Sequence, residues 1–154
     1  MVEIMENLRK KSKPFIHQIN DKDKFNEIYK LLDQTCNKQE EIFYTMIEGT
    51  CCFKLEGLFN EFAIKLKFPD YFGGNWDAFD ECLNDLDWLD CQQYILFIKD
   101  FDHILPDETD ELETFIEILK LTVDEWTSGR MSNLASLATF HIVIHSESEN
   151  NLLK

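Results

Sequence analysis

Apolar positions along this chain switch between two spacings several times from residue 14 to residue 146, and each switch marks an element. After Pro14 comes a short apolar segment at 15–19. Asp21 and Asp23 follow as candidate caps, and Phe25, Ile28, Leu31 and Leu32 recur at helical spacing, which predicts one β–α unit over 14–35. A second unit starts beyond Glu40. Ile42, Phe43, Tyr44, Met46 and Ile47 suit a buried strand, and Glu48, Gly49 and Thr50 suit a turn. Leu55, Leu58, Phe59, Phe62 and Leu66 then form one face of a helix that Pro69 ends. Asn75 is placed to cap the next helix, in which Ala78, Phe79, Cys82, Leu83 and Leu86 face a core and the carboxylates face away. The unbroken apolar run at 94–98 predicts a strand covered on both faces. Residues 107–111 open a long helix carrying Leu112, Phe115, Ile116, Leu119, Val123 and Trp126 on one stripe, with an acidic first turn that suits the helix dipole.

Gly129 closes that helical region, 130–138 reads as a linker with weak helical character, and 140–144 supplies the last strand. Residues 1–13 hold Arg9, Lys10, Lys11 and Lys13 without an apolar period behind them, so a flexible polar arm is expected there, and a frayed tail at 147–154. Strands alternating with helices predict an α/β fold with a mostly parallel sheet and right-handed crossovers, a single domain over 14–146.

Composition then narrows the partners. With 44% apolar residues and 13 Phe, a chain of 154 residues has material for a real core. Against 30 Asp and Glu stand only 15 Lys and Arg, a net charge of −15, and such a field repels nucleic acid and anionic membranes while attracting cationic surfaces. Solubility alone also accounts for an acidic balance. Cys36, Cys51, Cys52, Cys82 and Cys91 form an odd set without a CxxC pair, which points to small buried hydrophobes in a reducing, cytoplasmic setting. The start of the chain has basic residues without the apolar run of a secretory signal, and no run approaches the roughly 18 apolar residues of a spanning helix.

Between 68 and 98 there is no Lys, Arg or His, yet Asp70, Asp77, Asp80, Glu81, Asp85, Asp87 and Asp90 lie within it. Asp77 with Glu81, and Glu81 with Asp85, are i, i+4 like-charge neighbours, and each pair costs an isolated helix about 0.2–0.5 kcal/mol. The dipole offsets Asp77 but has faded before Asp85. Such a face is either a solvated surface or a site that invites cations from another molecule. Tyr71, Phe72, Trp76 and Trp88 stand beside it, and aromatic anchors ringed by charge are what interface hot spots are made from. Core packing is the other reading, favoured for Phe72 and open for Trp76.

Catalytic and metal chemistry find little support. Asp85, Asp87 and Asp90 resemble a calcium loop superficially, but its turn glycine and closing Glu are absent. His17, His103, His141 and His145 are scattered. On a strand, His141 and His145 would share a face but lie roughly 13 Å apart, too far for one metal. Gly73 and Gly74 make a turn rather than a phosphate loop. Paired carboxylates as in glycoside hydrolysis remain the one enzymatic option. The expectation is no enzyme, no cofactor and no metal.

The string PDYFGGNWDAFDECL at 69–83 resembles the barstar family, intracellular inhibitors of the ribonuclease barnase. That family carries Pro-x-Tyr-Tyr/Phe-Gly-x-Asn-x-Asp-Ala-Leu/Phe here, matched by Pro69, Tyr71, Phe72, Gly73, Asn75, Asp77, Ala78 and Phe79, with Cys82 and Leu83 also fitting. The resemblance extends more weakly over 42–146 and leaves residues 1–40 outside. It implies an open three-stranded parallel sheet flanked by helices, with 14–35 as an extra N-terminal β–α unit. It also implies a protein, a monomer when free, that blocks the basic active site of a ribonuclease or another basic toxin domain. Tyr71, Asp77 and Glu81 match interface positions, Glu81 standing where the family has Asp. The wider partner-binding set is Asn75, Trp76, Asp80, Asp85, Trp88 and Asp124, with Glu125 beside Asp124. Asp80 replaces an aromatic interface residue and Trp88 is displaced from the family's tryptophan, which implies a reshaped partner. The alternative is an acidic barstar-like scaffold or regulatory module for a basic protein that is not a nuclease.

Overall fold

The computed structural model describes residues 2–8, 10, 14–35, 42–127 and 139–148. Its elements are α1 (Val2–Asn7), β1 (Ile16–Ile19), α2 (Lys22–Thr35), β2 (Ile42–Glu48), α3 (Leu55–Lys65), α4 (Trp76–Asp85), β3 (Gln93–Lys99), α5 (Thr109–Thr127) and β4 (Thr139–His145). All strands are parallel, in the order β1-β4-β3-β2. The sheet is therefore four-stranded, which corrects the three strands implied by the resemblance. The extra unit supplies the difference, because β1 pairs with the otherwise open edge of β4, Ile16 opposite Ile142 and Ile19 opposite His145.

Handedness then decides which face each helix covers. From β2 the chain steps to β3 and on to β4 in one direction, so right-handed crossovers put α3, α4 and α5 on one face. The step from β1 to β2 crosses the sheet the other way, and the same handedness sends α2 to the opposite face. Burial agrees. Tyr94, Leu96, Ile98, Phe140, Ile142 and Ile144 join Leu58, Phe62, Phe79, Leu83 and Phe115 on the first face, while Ile95, Phe97 and Val143 meet Phe25, Ile28 and Leu32 on the second. Every residue at 94–98 is buried, as a strand covered twice requires.

Local chemistry sets the ends of these elements. Asp21 caps α2, its carboxylate accepting the N–H groups of Asp23 at 2.9 Å and Lys24 at 3.4 Å, while Asp23 lies in the first turn. At the end of β2, a Cβ on Gly49 would stand 2.1 Å from the Asp100 carbonyl oxygen, so the close approach of two chain segments demands glycine. The outer edge of β2 is partly occupied by α3: Glu61 accepts the Glu48 N–H at 2.7 Å, and Lys65 donates to the Met46 carbonyl at 3.0 Å. Helix α3 stops at Lys65, ahead of Pro69, with Lys67 at a φ of 56°.

Two expectations change. In place of a loose arm, Val2–Asn7 is helical and Leu8 is buried among Ile4, Met5 and the α2 face, because these three apolar positions share one side of a short helix. Of the histidines described as scattered, His17 and His141 come together, His17 Nε2 lying 3.0 Å from His141 Nδ1, while His145 is buried beside Phe25 and Asp100 and His103 is exposed. Of the tail, the Glu147 N–H and the Ser148 hydroxyl donate to the Asp102 carboxylate at 3.0 and 2.8 Å. Gly129, the linker at 130–138 and residues 149–154 lie outside the described residues.

Candidate partner-binding face

Residues 69–75 form a loop stapled to α3 by one aromatic side chain. The Phe72 ring meets Phe59 at 5.8 Å and Phe68 at 5.0 Å, both edge-on, and its N–H bonds back to the Pro69 carbonyl at 3.0 Å. With Phe72 turned inward, its neighbour Tyr71 turns out and is 71% exposed. Gly74, at a φ of +67°, bends the chain into α4. Asn75 caps that helix as its sequence position predicted, its side-chain oxygen accepting the Ala78 N–H at 2.8 Å.

Along α4, Phe79, Cys82 and Leu83 are buried, and Asp77, Glu81 and Asp85 are exposed. No cation among the described residues pairs with those three carboxylates, the ion pairs of lysines there being Lys22 with Asp100 and Lys65 with Glu61. Helix α4 ends on Leu86, a fully buried residue at a φ of 51°. Desolvation first, then the negative charges of Asp85, Glu81 and Asp87 together with Cys82, hold the Tyr71 phenol above its ordinary range. Tyr71 is thus a protonated, exposed ring in the field of the α4 carboxylates.

Other residues of the predicted set are engaged inside the molecule. Asp80 is half-buried, and the Asn84 amide donates to its carboxylate at 2.8 Å and to its carbonyl at 2.9 Å. Trp76 is half-buried against Phe59 and Phe79, and its indole N–H donates to Glu111 at 2.6 Å. Trp88 packs edge-on to Phe68 and donates to the Leu66 carbonyl at 2.9 Å. Asp124 and Glu125 are exposed near the end of α5. Because Trp126 donates to the Leu83 carbonyl at 3.0 Å, that end of α5 lies beside α4. Glu111 is the residue that the pattern alone did not single out; in sequence it reads only as an acidic first-turn position.

This arrangement offers fixed anions and an aromatic ring, which suits contact rather than covalent chemistry. Burial, followed by Glu61, pushes the Cys52 thiol up to about 12, and burial raises Cys82 as well, so neither is a ready nucleophile. No group of His, Cys, Asp and Glu among the described residues is placed to hold a metal, and no described helix is long and apolar enough to cross a membrane.

The fold defines a class, a parallel α/β sheet flanked by helices, with an acidic helix on its surface. A family model described as "Barstar (barnase inhibitor)" matches residues 42–144, and the chain belongs to the barstar family. No curated protein matches it. The matched span opens with β2 and closes within β4, so α1, β1 and α2 fall outside it.

Proposed function

We propose that this chain is an inhibitor, not an enzyme, which lays α4 into the basic active site of a ribonuclease toxin. The observation that carries this reading is the exposed row Asp77, Glu81 and Asp85, unpaired among the described residues and standing beside the exposed Tyr71 in the family motif. A ribonuclease site holds cations in place for phosphates. Carboxylates on a helix meet the same cations and present no bond that can be cleaved, so inhibition is steric and electrostatic. The net charge of −15 steers a basic partner in from a distance, and added salt weakens that steering.

Asn75, Trp76 and Trp88 serve this face from behind by holding the helix start and the loop, and Asp80 stands half-withdrawn beside it. Asp124 extends the acidic surface from α5. The four described cysteines are free thiols, which supports a reducing, cytoplasmic setting where an inhibitor would protect the RNA of its own cell.

A titration of RNA cleavage tests the proposal, using barnase and a panel of other small basic ribonucleases with the purified chain. At least one nuclease should lose activity at about one equivalent, and Asp77→Ala should weaken the inhibition about tenfold to a hundredfold, the loss of one hydrogen bond to a charged group. Undiminished cleavage across the panel would remove the reading.

A further inference from the structure

Next to the carboxylate row lies an open groove of about 450 Å³, between the first turns of α3 and the loop that leads into α4. Leu55, Phe59 and Phe72 supply its apolar lining, and Glu56, Asn60, Gly73 and Gly74 complete it. The α3 contributors fall at i, i+1, i+4 and i+5, so they share one side of that helix. Gly74 keeps the loop side open, since a Cβ there would meet nothing within 4 Å. One carboxylate and no cation line the groove. Glu56 is exposed and takes part in none of the ion pairs among the described residues.

The chemistry of the lining selects an occupant. An aliphatic side chain would fill the apolar part and leave the Glu56 carboxylate facing a desolvated neighbour, which is unfavourable. An ammonium group would satisfy Glu56, but it is compact and strongly hydrated and gains little from ring faces. A guanidinium lies flat on an aromatic ring and offers a fork of donors to a carboxylate and an amide oxygen, so it matches the half-buried Phe72, Glu56 and Asn60 together, with buried Phe59 as the groove floor. The groove is also continuous with the α4 face through Phe72, Gly73 and Gly74, which immediately precede Asn75.

We propose that this groove is a subsite for an arginine side chain of the partner protein, engaged alongside the α4 carboxylates. This rests on α4 being the partner face. Glu56 then acts as a specificity residue, selecting partners whose basic surface carries an arginine beside the active-site cations.

The test is a titration of the isotope-labelled full chain, followed by amide NMR, with N-acetylarginine amide, N-acetyllysine amide and N-acetylleucine amide at millimolar concentrations. The arginine probe should shift Glu56, Asn60, Gly73 and Gly74 most, the lysine probe less and the leucine probe least. Glu56→Gln should weaken the arginine response about tenfold. A leucine response equal to the arginine response, arginine shifts confined to Asp77, Glu81 and Asp85, or no shift at all would each overturn the subsite. The cleavage titration separates the two proposals: a chain that inhibits a nuclease while its groove amides stay silent keeps the α4 reading and loses the groove. A groove that takes up the arginine probe in a chain that inhibits nothing contradicts the α4 reading instead.

Discussion

On the face covered by α3, α4 and α5, the rings of Phe59, Phe62, Phe79, Phe115 and Trp76 meet mostly edge-on, and the indole N–H groups of Trp76, Trp88 and Trp126 are spent on Glu111, Leu66 and Leu83. On the opposite face, α1 and α2 close over a mixed core, in which the rings of Phe25, Phe97, Tyr29 and Tyr44 meet aliphatic Ile28, Leu32 and Val143, and three histidines are buried beside it. The contrast teaches where rigidity is placed. The face that presents carboxylates outward rests mainly on contacts between uncharged rings, whereas the face contributed by the extra N-terminal unit carries His17 and His141, whose protonation is opposed by burial. The first holds a surface still; the second closes the sheet.

Removing a large ring from either face should have the largest effect. Phe79→Ala and Phe25→Ala should each cost about 3–5 kcal/mol, since both side chains are fully buried. Because β3 is shared by both cores, urea unfolding of Phe25→Ala should give coincident transitions by tryptophan fluorescence and by circular dichroism. Transitions that separate would show that the faces unfold independently.

Acid should break the symmetry next. His141 Nε2–H donates to the Lys10 carbonyl at 2.8 Å, and in the neutral ring this leaves Nδ1 to accept from His17 Nε2–H at 3.0 Å, a contact that leaves no room for a proton on both facing nitrogens. Burial, reinforced by His141, lowers His17 to about 4, and burial lowers His141 against the opposing pull of the Lys10 carbonyl. An unfolded histidine titrates near 6.5, so between about 6.5 and 4 the unfolded chain binds more protons than the folded one. Stability is therefore full above pH 6.5 and falls as the pH drops toward 4. Urea midpoints at successive pH values should decline over that window, and His17→Phe should flatten the decline. An unchanged slope would contradict the role given to the pair.

Smaller effects probe the carboxylate face. Trp76→Phe should lose about 1.5 kcal/mol, the lower range for a hydrogen bond to a charged group, because Glu111 loses its donor. Asn75→Ala should lose about 1 kcal/mol through the missing cap, again read by denaturant midpoint. Glu81→Gln should have the smallest effect on stability and the opposite sign. It relieves two like-charge contacts and should stabilise the fold by about 0.2–0.5 kcal/mol per pair. Destabilisation by Glu81→Gln would mean that its carboxylate serves the fold.

Much of the front face was legible from spacing. The α4 cap at Asn75, the buried set Phe79, Cys82 and Leu83, and the doubly covered run at 94–98 are local patterns, and each appears where the periodicity places it. The strand near 15–19 was legible too, but its neighbour was not, since pairing with β4 joins residues more than a hundred positions apart. That pairing also creates the His17–His141 contact, which no sequence spacing signals. Helix α1 was missed because its basic neighbours outweigh a single apolar side formed by Ile4, Met5 and Leu8. The indole partners of Trp76 and Trp88 come from other elements, so sequence could name these side chains as anchors without telling which way they face.

The most direct measurement is the affinity of an inhibited basic ribonuclease for the native chain and for the triple variant Asp77→Asn, Glu81→Gln, Asp85→Asn, whose fold is verified independently. The account predicts that the variant, folded and at least as stable, binds about a thousandfold more weakly or worse, one tenfold step for each 1.4 kcal/mol lost per carboxylate. Undiminished binding by the variant would contradict it.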